Sequence, residues 1–274
     1  MRWLKKFNSA FLCLMVALLS ACQSLDLSQK NIYHTQTGQY FTLSQLVQKI
    51  QSEPMILVGE KHDNALHHQA EVALFQALNQ TGNLQAVALE MLPSSQQSQI
   101  DHALQHIRQH KRIDNATVKQ HLPWTEGWQW SQYGDLMVAL SQSQVRILGG
   151  NLDRSEIATL FNGAYPLNGN RSTAQAVKQR IAQTIAQHHQ LSAKEDHIQT
   201  MVSIQQFKDR RMAEALINGG KSTLLIAGNF HVNKAVGVPL HLADLGHKKG
   251  VVISLAKSIH DIAPEETDYI WVLP

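Results

Sequence analysis

Six short apolar runs punctuate the chain. Residues 55–58 end at Gly59, 84–89 at Glu90, 145–148 at Gly149-Gly150 and 223–227 at Gly228; runs at 250–255 and 269–273 follow. Each is apolar at most of its positions, interrupted only by residues such as Gln85, Arg146 and Ser254, hence largely apolar on both faces of a strand, which is the pattern of buried parallel strands. Between them the apolar positions recur with helical spacing. Segments 43–50, 65–79, 94–108, 130–142, 172–189, 194–217 and 240–245 read as helices; Leu66, Ala70, Ala73, Leu74 and Leu78 carry the period in the second, and Pro93-Ser94-Ser95 opens the third. Strands alternating with helices predict an α/β fold, a mostly parallel central sheet flanked by helices. The spacing is uneven. About 30 residues separate the first two strands, but about 55 separate Glu90 from Val145 and about 70 separate Gly150 from Thr223. Those two stretches exceed a simple crossover and predict helical insertions, or a cap, at about 94–142 and 155–218.

The N-terminus breaks this pattern. Arg2, Lys5 and Lys6 form a basic head, residues 10–19 are mostly apolar, and Leu19-Ser20-Ala21-Cys22 follows. Head, core and small residues occur in the order of a secretory signal, and the core is too short to span a bilayer comfortably. The run at 19–22 resembles the bacterial lipobox, which implies cleavage before Cys22, acylation of Cys22 and attachment to a membrane. Gln23 stands where an Asp would imply inner-membrane retention, so the expected address is the cell envelope at the outer membrane. Residues 1–21 are then a lipoprotein signal peptide, 22–40, polar and irregular, a tether, and 41–274 a single α/β domain.

Composition changes meaning once the signal is set aside. The chain has 24 Lys plus Arg and 21 Asp plus Glu. Removing the three basic residues of 1–21 leaves 21 of each, so the mature charge is zero with His neutral. A neutral surface argues against nucleic acid as a partner. The two cysteines, Cys13 and Cys22, exclude a disulfide framework or a zinc finger.

The chemistry-bearing residues stand at strand ends. Gly59-Glu60-Lys61-His62 follows the first strand and Gly228-Asn229-Phe230-His231 the fourth, each a glycine, two residues, then histidine. Glu90 ends the second strand, and Asn151, Asp153 and Arg154 follow the third. In an open α/β sheet the ligand cleft lies beyond the carboxyl ends of the strands. One cleft could therefore receive Glu60, His62, Glu90, Arg154 and His231 as candidate catalytic groups. A carboxylate beside a histidine can serve as general base, hold a divalent metal, or both, and Arg154 could neutralise an anion. His62, His231, Glu60 and Glu90 are the candidate metal ligands. His67-His68 opens the next helix; one of them could face the cleft, but the pair reads first as helix surface. His102, His106 and His110 recur every fourth residue; histidines at that spacing can chelate a metal, yet the stripe reads foremost as a solvated polar face.

Several of these segments together resemble the ChaN family of haem-binding uptake lipoproteins. They are the run from Ile56 through Asp63 with His67-His68, Ala88-Leu89-Glu90-Met91, Gly150-Asn151-Leu152-Asp153-Arg154, Asp209-Arg210-Arg211-Met212-Ala213, and the run from Leu225 through Val232 with Gly237-Val238-Pro239. The resemblance covers about residues 50–255 and extends to Tiki-type metalloproteases and erythromycin esterases, which share the paired Gly-x-x-His pattern. It implies haem as ligand, a role in haem or iron acquisition, a haem receptor or transporter as partner, and a dimeric arrangement that the sequence itself does not display. A haem site needs an apolar slot and an axial donor. Tyr165 and Tyr133 are the candidate haem contacts; Trp124, Trp128, Trp130, Met137 and Met201 could line a slot, although the aromatic cluster at 124–130 reads first as core packing. The competing expectation is a divalent-metal-dependent hydrolase of peptides or esters, with Glu60 activating water.

Overall fold

The computed structural model describes residues 25–163, 166–189 and 196–273. Cys22, Tyr165 and the whole expected signal peptide lie outside the described residues. The chain runs β1 (Ile32–His34), β2 (Tyr40–Phe41), α1 (Leu43–Ile50), β3 (Met55–Glu60), α2 (Ala65–Gln80), β4 (Ala86–Pro93), α3 (Gln97–Ile107), α4 (Asn115–His121), α5 (Trp130–Gln142) and β5 (Arg146–Asn151). It continues with α6 (Arg154–Phe161), α7 (Gln175–His189), α8 (Asp196–Asn218), β6 (Thr223–Gly228), α9 (Asn229–Val232), α10 (Val238–Asp244), β7 (Val251–Ala256) and β8 (Tyr269–Val272).

The eight strands form one sheet in the order β2-β1-β8-β7-β3-β6-β4-β5. From β8 to β5 all neighbours are parallel, and only the β1–β2 hairpin joins antiparallel, at the β8 edge. The mostly parallel α/β sheet expected from the sequence is the fold observed. All six apolar runs are strands, and α3 to α5 and α6 to α8 fill the two long connections.

Alternation along the strands builds two cores. Ile56, Val58, Val87, Leu89, Leu224 and Ile226 face α1 to α5. Met55, Leu57, Ala86, Ala88, Leu225 and Ala227 face α8, α9 and α10. Alanines recur on the second face, Ala86, Ala88 and Ala227 on the strands and Ala213 and Ala215 on α8. Burying both faces explains why these strands read as continuous apolar runs.

Residues expected to tether the domain are partly structural. Ile32, fully buried, pairs with Trp271 of β8, and the rings of Tyr33 and Tyr40 meet at a tilt 5.2 Å apart across the hairpin. The remaining differences are the short helices α4, α6 and α9. Side-chain caps define the first two: Asp114 accepts from the Thr117 amide at 3.0 Å, and Asp153 and Glu156 form a reciprocal capping box at the start of α6.

The site sits where strand order reverses. β3 and β4 flank β6, so the chain leaves β3, passes the place of β6, builds β4 and β5, and returns. The register pairs Glu60 with Gly228 and Leu89 with Ile226. Three central strands therefore bring Glu60, Gly228 and Glu90 to the same end of the sheet.

Candidate functional site

Above this end lies an open cleft of about 640 Å³. Glu60, His62, His67, His231, Phe230 and Lys257 are among its lining residues. Its size suits a small-molecule ligand.

Glu60 is the hub of one half. It is buried, and its Oε1 accepts from His62 Nδ1 and, at 2.9 Å, from the Tyr133 hydroxyl. With Nδ1–H donated, the His62 Nε2 lone pair stays available. A Cβ on Gly228 would lie 3.1 Å from that Nε2, so glycine is what lets the imidazole lie against β6. The side chain of His62 remains 46% exposed. Burial opposes its positive charge, but the Glu60 hydrogen bond and the Glu60 and Glu90 charges outweigh burial and raise its pKa. Trp128 meets His62 edge-on at 4.9 Å and also packs on Tyr133.

His231 heads the other half. Its Nε2 lies 3.1 Å from Glu90 Oε1 and its Nδ1 2.5 Å from Asp209 Oδ1. Burial disfavours the imidazolium, yet the two carboxylates prevail and raise the pKa to about 10. Glu90 responds to the same charge. Burial would lift it, but His231, His62 and the Gly228 N–H at 2.8 Å pull it down to about 2. Asp209 lacks the backbone donor and feels the Glu90 charge, so burial raises it to about 6.

A deeper layer supports Glu60. His68 Nε2–H donates to the His62 carbonyl, and Nδ1 lies 3.1 Å from Glu71 Oε2. Burial pushes Glu71 up to about 7. Glu60 Oε2 and Glu71 Oε1 are both buried without a hydrogen-bond partner. Glu60, His68 and Glu71 bring ligand-type atoms within 4.8 Å of one another, a set that could take a cation or share a proton.

These positions revise several sequence expectations. Glu60, His62, Glu90 and His231 do converge on one strand end. They divide into a Glu60–His62 pair and a Glu90–His231–Asp209 triad, and do not close as one metal-ligand set: both His231 nitrogens already face carboxylates. Arg154 lines a separate hollow of about 580 Å³ with Met91, Trp128, Asn151 and Asp153. Tyr133 is only 1% exposed and donates to Glu60. Burial first, and then the nearby carboxylates, push its ionisation far above the ordinary range. The phenol oxygen is engaged with Glu60, which it helps to hold in place. His67 and His68 are buried rather than on the helix surface. His67 Nδ1 accepts the Lys61 N–H at 2.9 Å, and burial lowers its pKa to about 4, keeping it neutral.

Asp209 and Glu71 had no role read from the sequence, although a signal existed. Each interrupts a buried helical stripe: Asp209 precedes Met212, Ala213 and Leu216, and Glu71 lies among Ala70, Leu74, Phe75 and Leu78. A charge in such a stripe is almost never buried unless paired.

Comparison with known proteins decides the family. Residues 46–242 match the family model described as haem-binding uptake, Tiki superfamily, ChaN. The chain belongs to this family. The structure of ChaN of Campylobacter jejuni, whose subject is cofacial heme binding, is 35% identical, covers 87% of this chain and 94% of its own, and superposes with a TM-score of 0.81. The type III effector HopBA1 aligns at 12% identity over 84% of this chain and 92% of its own, with a TM-score of 0.49. Erythromycin esterase EreC in an open conformation aligns at 14% identity over 77% of this chain and 72% of its own, with a TM-score of 0.47. No curated protein matches.

Proposed function

We propose that this protein binds haem in the service of haem or iron acquisition. The observation that carries the reading is the ChaN family match together with 35% identity over 87% of the chain to a protein solved for cofacial heme binding. One surface feature suits such a ligand. Phe161, at the end of α6, is 51% exposed and stacks on His197 of α8 at 6.2 Å and 27°. An exposed aromatic face is what a flat, largely apolar macrocycle seeks. Tyr165 is the axial donor in this proposal, resting on its sequence position four residues after Phe161. Haem is the cargo here, and the chain's own groups would hold and orient it.

Titration of the full chain with haemin tests this. A saturable Soret shift at micromolar haem is expected; its absence overturns the reading. Tyr165→Phe should weaken binding or move the Soret band, and Phe161→Ala should weaken it. Tyr133→Phe should leave the spectrum unchanged. The proposal includes lipidation at Cys22, an outer-membrane address, a receptor or transporter that takes the haem, and a homodimer. Loss of palmitate labelling in Cys22→Ala tests the anchor.

The Glu60–His62 pair favours a second reading, hydrolysis of an ester or peptide. A histidine oriented by a carboxylate, with its other nitrogen open to a cleft, is built to take a proton from water. In this arrangement His62 is the base and Glu60 holds it, because Glu60 Oε1 is already committed to His62 and Tyr133. A divalent metal remains part of that reading through the unpartnered Glu60 Oε2. Turnover of an ester and peptide panel, lost in His62→Gln, would support it; no turnover by wild type removes it.

A further inference from the structure

Away from the cleft, two helices of the first insertion bring three histidines together. His106 lies in the last turn of α3, His110 follows three residues after the helix ends, and His121 is the last residue of α4. Their ligand nitrogens all lie within 4.8 Å of one another. His106 Nε2 and His110 Nε2 are 3.4 Å apart, and the rings stand 4.6 to 5.5 Å from each other.

The arrangement points to a cation in two ways. First, the hydrogen bonding fixes a tautomer. His121 Nδ1 is 2.8 Å from the Thr117 carbonyl, which can only accept, so Nδ1 carries the proton and Nε2 keeps its lone pair. A histidine that donates one ring N–H to a carbonyl has its other nitrogen's lone pair available to a metal, the usual arrangement of a histidine ligand. Second, the spacing matches. Zinc–nitrogen bonds of about 2.1 Å at tetrahedral angles place the ligand nitrogens about 3.4 Å apart. The His106–His110 separation has that value, so a zinc ion could take the place of the proton that one of the two imidazoles would otherwise donate to the other. No carboxylate joins the set among the described residues, so the donors are all imidazole, which suits zinc, nickel or copper rather than calcium or magnesium.

We propose that His106, His110 and His121 form a zinc-type metal site that ties the end of α3 to the end of α4 and leaves a fourth coordination position open. His106 and His110 are exposed and His121 is half-buried, so the ion can enter from solvent. The site stands apart from the strand-end cleft and does not depend on haem binding. α3 supplies His106, the turn after it His110, and α4 the third ligand, His121.

Calorimetric titration of the full chain with zinc alone tests the site. Wild type should bind one equivalent more than the triple variant His106→Ala/His110→Ala/His121→Ala, while His62→Gln keeps that equivalent. His121→Gln alone should weaken the site at least about tenfold. Equal stoichiometry in wild type and the triple variant overturns the proposal. Zinc protection of these three histidines against diethyl pyrocarbonate, read by mass spectrometry on the wild-type chain, requires no variant; equal modification with and without zinc overturns it too.

Discussion

The two Gly-x-x-His turns are alike in sequence and opposite in physics. After β3 the chain turns outward, and His62 keeps one carboxylate partner, an open nitrogen and 46% of its side chain in solvent. After β6 the chain enters α9 at once, and that helix folds back on β3. A Cβ on Gly59 would meet Val232 at 2.4 Å and the Asn229 Cα at 2.9 Å, so glycine there permits the docking. Docking buries His231 between Glu90 and Asp209, where it is held charged. One motif thus yields a half-exposed imidazole with one nitrogen open and a buried imidazole held between two carboxylates, and the local backbone after the glycine decides which.

The largest test removes the buried cation. His231→Asn leaves two buried carboxylates without their counter-charge and should cost about 3–5 kcal/mol in urea unfolding. The loss should depend on pH. His231 has its pKa raised from 6.5 to about 10, so its contribution is complete below pH 6.5 and disappears as pH rises through about 10. The gap in unfolding free energy between wild type and variant should therefore narrow across that window. A gap that stays constant would mean that His231 is not charged.

Gly59→Ala comes next, because the atoms it meets include backbone. A cost of about 1–3 kcal/mol is expected in thermal or urea unfolding. Gly228→Ala should cost less, since its nearest neighbour is the movable ring of His62 at 3.0 Å. Equal costs would undo the distinction drawn between the two turns.

Tyr133→Phe removes the hydroxyl donor to Glu60 and should cost about 1–2 kcal/mol by urea unfolding. The smallest effect belongs to His62→Gln, below about 1 kcal/mol, because the ring is half in water. If His62→Gln destabilises as much as His231→Asn, the comparison fails.

Much of the molecule is legible in its sequence. Strands buried on both faces declare themselves as apolar runs, and Glu60, His62, Glu90 and His231 stand where such strands end. What escapes is pairing. Nothing local shows that Asp209, twenty-two residues before His231, would reach its Nδ1, or that Tyr133 would cross from α5 to Glu60. Arg154 shows the same: following a strand assigns an end of the sheet, and which hollow it joins depends on how α6 leaves it. The hairpin at 32–41 escaped because β1 has three residues and β2 two, too few to show alternation.

That hairpin has a practical consequence for anyone trimming the chain. Without residues 25–41, the Tyr269–Val272 edge, carrying Ile270 and Trp271, would offer its free N–H and C=O groups to any neighbouring chain. A protein cut at Thr42 would expose an apolar edge and precipitate or pair through it.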